Sequence, residues 1–185
     1  GRIGAGLLGG DIHEVALAAL APATLLWLYR DRLRPLFGRV DLVAILVGLA
    51  VGALWIVTEP RGHMVLLAPQ TQLEFWSWIA LRAFGFALVV PFVEELLFRG
   101  YLHRALVAKR FEDAAPGQFG WAAFLVTSVV FGFMHDRWLA GMLAGAAFAL
   151  VLYRSKSLSG PVAAHIAANG LIAAYAVLTH NWALL

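Results

Sequence analysis

The sequence predicts an all-α, polytopic transmembrane bundle of about six to eight helices around a buried polar cavity. Three observations lead there. Hydrophobic residues make up 62% of the 185-residue chain and charged residues 14%, against roughly 45–50% and about 25% in a soluble domain. Mean hydropathy is +0.79, leaving too few polar side chains to cover a water-soluble surface of that size. Apolar runs near the length of a bilayer crossing recur along the chain, and no alternating pattern marks strands. In lipid only helices and closed barrels satisfy their own backbone, which leaves helices. A single integral-membrane domain, residues 1–185, is expected.

The runs follow in order. Val15–Tyr29 is the first and ends in the basic loop Arg30–Arg39. Leu42–Thr58 is the second, followed by the polar, proline-bearing connection Glu59–Glu74. Phe75–Phe98 is the third; Arg99–Arg110 continues it as an amphipathic helix, and Glu112–Gln118 is a loop. Phe119–Met134, Trp138–Tyr153 and Pro161–Thr179 are the fourth, fifth and sixth. A break at Pro91 would raise the count to seven.

Charge favours six. Arg30, Arg32, Arg34, Arg39, Arg99, Arg104, Lys109, Arg110, Arg154 and Lys156 then share one side, ten of the 14 basic residues. Arg2, Arg61 and Arg137 lie opposite. By the positive-inside rule the ten face the cytoplasm and the N-terminus is outside. Arg82 lies within a span and is expected to snorkel. Asp136–Arg137 reads as a loop ion pair. His13, His63, His180, Trp76, Trp78, Trp138 and Trp182 read as interfacial.

Other classes recede. The absence of cysteine removes disulfides and thiolate chemistry. A net charge of +3 and a pI near 9.7 do not indicate nucleic acid, because the basic residues sit between spans. Residues Gly1–Asp11 lack a basic n-region and an Ala-x-Ala site, so no signal peptide is expected.

An ionisable side chain at the centre of a span costs at least ~2.5–3.5 kcal/mol and faces a partner or a wet cavity. Finding such residues is nearly a search for the site. "PFVEELLFRG", Pro91–Gly100, places Glu94 and Glu95 in one of the most apolar stretches. Glu95 and Arg99, four apart, share a helix face, and His103 extends the stripe. Glu94 is turned by about 100° from Glu95, towards a cavity. "FGFMH" puts Phe131 and His135 at four-residue spacing, and "HIAAN" does the same for His165 and Asn169. Structural readings compete: a helix-end ion pair for the glutamates, an interhelical hydrogen bond for His165 and Asn169. Gly141 and Gly145 form a small-xxx-small pair that lets helices pack closely.

In that order the three pieces, EExxxR, FxxxH and HxxxN, resemble the motif set of the CAAX protease and bacteriocin-processing (CPBP, or Abi) intramembrane peptidases. Here they read Glu94-Glu95-Leu96-Leu97-Phe98-Arg99, Phe131 to His135, and His165 to Asn169. "FRG", Phe98–Gly100, also resembles the family's continuation. The resemblance runs over roughly residues 75–169, within a motif-bearing core of 75–180. It implies a polytopic helical peptidase acting on a peptide or protein substrate at the lipid bilayer. A bacterial inner-membrane location is expected.

Side-chain chemistry supplies a mechanism. Without cysteine, and with Ser128 seven residues from His135, direct attack by water is the better hypothesis. Glu94, assisted by His135, would take the water's proton and return it to the leaving amine. His165 and Asn169 would donate to the oxyanion, while Arg99 holds Glu95. A metallo version would use Glu94, His135 and His165 as ligands to Zn²⁺ or another divalent metal. It lacks the HExxH spacing that fixes two ligands on one helix. The rival class is a non-catalytic membrane adaptor or immunity protein of the same fold. A transporter would show matched halves, and none is visible. The substrate stays open among a prenylated CAAX terminus, a bacteriocin leader and a sorting tag.

Depth poses a difficulty. If Arg99 and Arg154 mark the cytoplasmic boundary, Glu94 and His165 lie about 6–8 Å below it and His135 about 20 Å, at ~1.5 Å per residue. Convergence then demands irregular helix ends, and a water-accessible cavity open towards the cytoplasm is expected.

Overall fold

The computed structural model describes residues 12–59 and 71–185. Six apolar helices carry the fold: α1 (Ile12–Leu28), α2 (Leu42–Val57), α3 (Gln72–Val107), α4 (Trp121–Phe133), α5 (Trp138–Ser155) and α6 (Ser159–Thr179). No strand occurs among the described residues. The all-α bundle therefore stands. By length and composition α3, α5 and α6 can cross a membrane; α1, α2 and α4 are shorter apolar helices. Arg2, Arg61 and His63 lie outside the described residues.

α3 is a single helix of 36 residues, so Pro91 does not divide it. Its start is set by a capping box: Thr71 Oγ1 accepts from Glu74 N–H, and the Glu74 carboxylate accepts from Thr71 N–H. Its interior holds two π-helical stretches, Gly85–Val89 and Leu96–Leu102, on either side of the glutamates. Val90 N–H bonds the Gly85 carbonyl, five residues back. In that register Pro91 would serve Phe86, but proline has no N–H. The Phe86 carbonyl takes its hydrogen bond from Asn169 Nδ2 at 2.9 Å instead. A residue that commonly breaks helices thus becomes a connection to α6.

Small residues decide the tightest contacts. α2 lies along α6 with Gly48 against the Ala164 backbone and Gly52 against Ala168, four residues on in both helices, so the two run parallel. Gly141 and Gly145 of α5 meet Gly132 and Ser128 of α4, the close approach that their spacing predicts. Gly48→Val would drive Cβ into the Ala164 carbonyl, a backbone obstacle that cannot rotate away. It is expected to lower stability by about 1–3 kcal/mol through overpacking, read as a drop in thermal unfolding temperature in detergent. Ala53→Val, at an exposed position of the same helix, should leave that temperature unchanged.

The bundle has two distinct ends. At one, the segments 29–41, 108–120 and 156–158 meet: Leu158 N–H bonds Leu36 O, Ser159 Oγ donates to Gly38 O at 2.8 Å, and Lys156 Nζ donates to Gly117 O. Gly38 N–H in turn donates to Ser159 Oγ at 2.9 Å, making the tie reciprocal. At the other, the turn Met134–Arg137 meets the end of α2. There Arg137 binds Glu59 at 2.6 Å, the Trp55 carbonyl and Thr58 Oγ1. This corrects the expected Asp136–Arg137 pair, because a partner 78 residues away replaces the neighbour. Trp182, just past the end of α6, is buried against Phe75, ring centroids 5.5 Å apart.

Two arginines assigned to the basic loops are interior. Arg99 is 0% exposed and Arg104 8%, the latter donating to the Ala114, Gly100 and Glu112 carbonyls. α3 runs on to Val107, close to the expected continuation through Arg110. With Arg99 interior, it is Val107 that marks this end, about 20 Å from Glu94 at ~1.5 Å per residue. The depth difficulty at Glu94 came from the wrong boundary.

Candidate active site

Glu94 and Glu95 diverge as their angular offset demands. Glu95 is 0% exposed and accepts from Arg99 Nη1 at 3.0 Å, with His165 Nδ1 also at 3.0 Å from the same oxygen. Arg99 Nη2 donates to the Gly145 carbonyl at 2.7 Å. The guanidinium lies over the Phe131 ring at 4.8 Å and near Phe98 and Phe148. A desolvated cation therefore has a carboxylate, a carbonyl dipole and aromatic faces around it, the compensation that burial requires. His103 follows on the same stripe, fully buried, its Nε2 2.8 Å from Tyr153 Oη.

Glu94 instead lines a cavity of about 90 Å³ together with His135, His165 and Asn169. Its Oε2 has no protein hydrogen-bond partner and lies 3.9 Å from His165 Nε2. The remaining walls are Val51 and Trp55 of α2, Phe86 and Val90 of α3, Phe131, Ala144, Phe148, Ala168 and Ile172. A water needs about 10–15 Å³ of such space and two to four polar partners, so the cavity has room for several.

Each imidazole is held by one nitrogen. His135 lies past the end of α4, in the turn, yet meets Phe131: its Nδ1 is 2.7 Å from the Phe131 carbonyl and the rings are 4.8 Å apart. Trp55 presents an edge to it at 5.7 Å. His165 stacks on Phe148 at 4.6 Å. With Nδ1–H donated to Glu95, its Nε2 accepts in the neutral ring and donates in the imidazolium. Asn169 commits one N–H to Phe86 O, leaving the second N–H and its oxygen.

Other candidates are occupied elsewhere. Ser128 Oγ donates to the Phe124 carbonyl at 2.7 Å, within its own helix. Arg82 lies over Trp78 at 5.2 Å and lines a separate cavity with Glu14. No three His, Asp or Glu among the described residues are grouped to hold a metal ion. Trp55 and Val51 are wall residues that motif reading missed, since neither is polar. The signal that could have found them is the spacing Gly48–Gly52 opposite Ala164–Ala168, which seats α2 on the helix carrying His165.

Acidic, imidazole and amide side chains from α3, α6 and the turn after α4 thus surround one buried cavity in a multi-helix bundle. Residues 76–171, about half the chain, match the family model described as Type II CAAX prenyl endopeptidase Rce1-like, and the chain belongs to that family. This agrees with the motif resemblance and supports, in general terms, a CAAX-protease-type function in the membrane. No curated protein and no solved structure matches the chain.

Proposed function

We propose that the protein is an intramembrane endopeptidase that cuts a membrane-associated peptide or protein with a water activated by Glu94. The observation that carries this reading is the unpartnered Glu94 oxygen facing a cavity shared with two imidazoles and an amide. Glu94, with His135, takes a proton from water as the water oxygen attacks the scissile carbonyl carbon. The developing oxyanion receives a donor from His165 Nε2, in the imidazolium form, and from the uncommitted N–H of Asn169. As the C–N bond breaks, Glu94 returns its proton to the leaving amine. Glu95 fixes the His165 ring and supplies its counter-charge; Arg99 holds Glu95. An oxyanion donor of this kind typically contributes ~3–4 kcal/mol.

Mass spectrometry of candidate peptides, prenylated at a C-terminal CAAX cysteine and not, incubated with the purified protein tests this. A single internal cut is expected, undiminished by chelator, with Asn169→Ala slowing kcat by about 10²–10³-fold. Loss of cutting in chelator with recovery on added Zn²⁺ would replace this route with the metal-assisted one. Absence of cutting for every peptide, alongside a phenotype insensitive to Glu94→Gln, would favour the adaptor reading.

A further inference from the structure

We infer that Arg137 is a positioning residue for the imidazole that assists Glu94. By clamping the end of α2 to the turn that carries His135, it sets Trp55 against that ring and fixes which ring nitrogen serves the cavity. This deepens the proposed function and rests on the Glu94 cavity being the hydrolytic site.

His135 lacks the support that the other polar groups of the cavity have. Glu94 lies inside α3, and His165 and Asn169 lie inside α6. α4 ends at Phe133, and His135 follows in the turn before α5 begins at Trp138. Its backbone N–H donates to the Gly132 carbonyl at 3.0 Å, which ties the chain but leaves the side chain to its neighbours. On one side its Nδ1 lies 2.7 Å from the Phe131 carbonyl. A carbonyl only accepts, so Nδ1 carries the proton and Nε2 is left for the cavity. On the other side Trp55 presents its edge at 5.7 Å.

Arg137 closes this ring of contacts. The last four carbonyls of a helix have no partner within it, and a cation placed there also meets the negative end of the helix dipole. α2 ends at Val57, and Arg137 caps it from the turn after α4. Its Nη1 donates to the Trp55 carbonyl at 2.9 Å and to Glu59 at 2.6 Å, and its Nη2 donates to Thr58 Oγ1. Its guanidinium also lies over the Trp55 indole, 4.5 Å from the ring centroid. One side chain therefore holds Trp55 by both its carbonyl and its ring. The indole so held is the one that flanks His135, two residues before Arg137 in the chain. Trp55, Thr58 and Glu59 all precede residues 76–171, the stretch that matches the family. The polar groups of that stretch thus take support from a helix outside it.

Two readouts separate positioning from a merely structural ion pair. The first is nuclear magnetic resonance of the purified protein carrying isotope-labelled histidine, at alkaline pH where imidazoles are neutral. The His135 signal is the one lost in His135→Asn. Wild type should show a single tautomer protonated on Nδ1. Arg137→Gln should broaden that signal or divide it between tautomers, and Arg137→Lys should recover part of it. The His165 signal, fixed by Glu95, should not move. Trp55→Phe leaves the backbone and Glu59 bonds of Arg137 in place and should loosen His135 in the same way; it serves where Arg137→Gln gives no folded protein. Arg154→Gln, which breaks an exposed pair with Asp41 at the other end of the bundle, should change nothing.

The second readout is kinetic. Arg137→Gln should lower kcat by about 10–100-fold with KM little changed, since a misplacement of about 1 Å can cost about 10²-fold. A His135 signal unmoved in either variant, or an unchanged kcat in Arg137→Gln, overturns the inference. If the ring responds as expected but even wild type cuts no peptide, the positioning is supported and it is the peptidase reading that falls.

Discussion

Glu94→Gln should abolish detectable cleavage, lowering kcat by about 10²–10⁴-fold, the range for a general base, with KM and the unfolding temperature unchanged. The substitution conserves volume and removes the ability to take a proton together with the negative charge 3.9 Å from His165 Nε2. No hydrogen bond is forfeited, because the buried Oε2 has no protein partner. Its neighbour offers the internal control: Glu95→Gln disturbs Arg99 and His165 together, so it should cost stability as well as rate. Steady-state kinetics paired with thermal unfolding separates the two. Residual cutting by Glu94→Gln above one-tenth of wild type would show that another group activates the water.

The largest loss of stability is expected at Arg99→Met. Methionine fills much of the volume but leaves Glu95 facing only His165, and removes the side-chain donor to the Gly145 carbonyl. Removing one partner of a buried charge pair typically costs about 3–5 kcal/mol. The protein should therefore lose yield and unfold well below wild type. Arg99→Lys should recover little, since an ammonium cannot reach a carboxylate and a carbonyl in the fork geometry of guanidinium. The double variant Glu95→Gln, Arg99→Met should be more stable than Arg99→Met alone, because no ionised group is then stranded. A double variant no better than the single one would mean that Arg99 acts through packing on Phe131 and Phe148.

The helices were legible because lipid imposes length and hydrophobicity on any crossing segment, and the six apolar runs correspond to α1–α6. The start of α3 is also legible: Thr71-Gln-Leu-Glu74 is a capping-box pattern, a signal that hydropathy does not register. The continuation of α3 past Arg99 was readable too, as the expected amphipathic stretch; the burial of its arginines was not. Arg99 and Arg104 look like boundary markers until their acceptors are known, and Gly145, for one, comes 46 residues later. The polar groups around the cavity stood out by the improbability of burying them. The apolar wall from α2 did not, since valine and tryptophan in a membrane helix carry no such signal. Nor could spacing foretell that Pro91 would widen α3 without ending it and give Asn169 an acceptor.

The clasp between Gly38 and Ser159 has a bearing on how compact this protein can be made. It pins the loop ahead of α2 to the first turn of α6, so the stretch that matches the family, 76–171, depends on residues upstream of it. Trimmed to that stretch, the chain would forfeit Trp55 and Val51 at the front of the cavity and Ile172 at the back, and would turn the alanine face of α6 to lipid. The Glu94 cavity is better regarded as a joint product of both halves of the polypeptide than as a portable cassette.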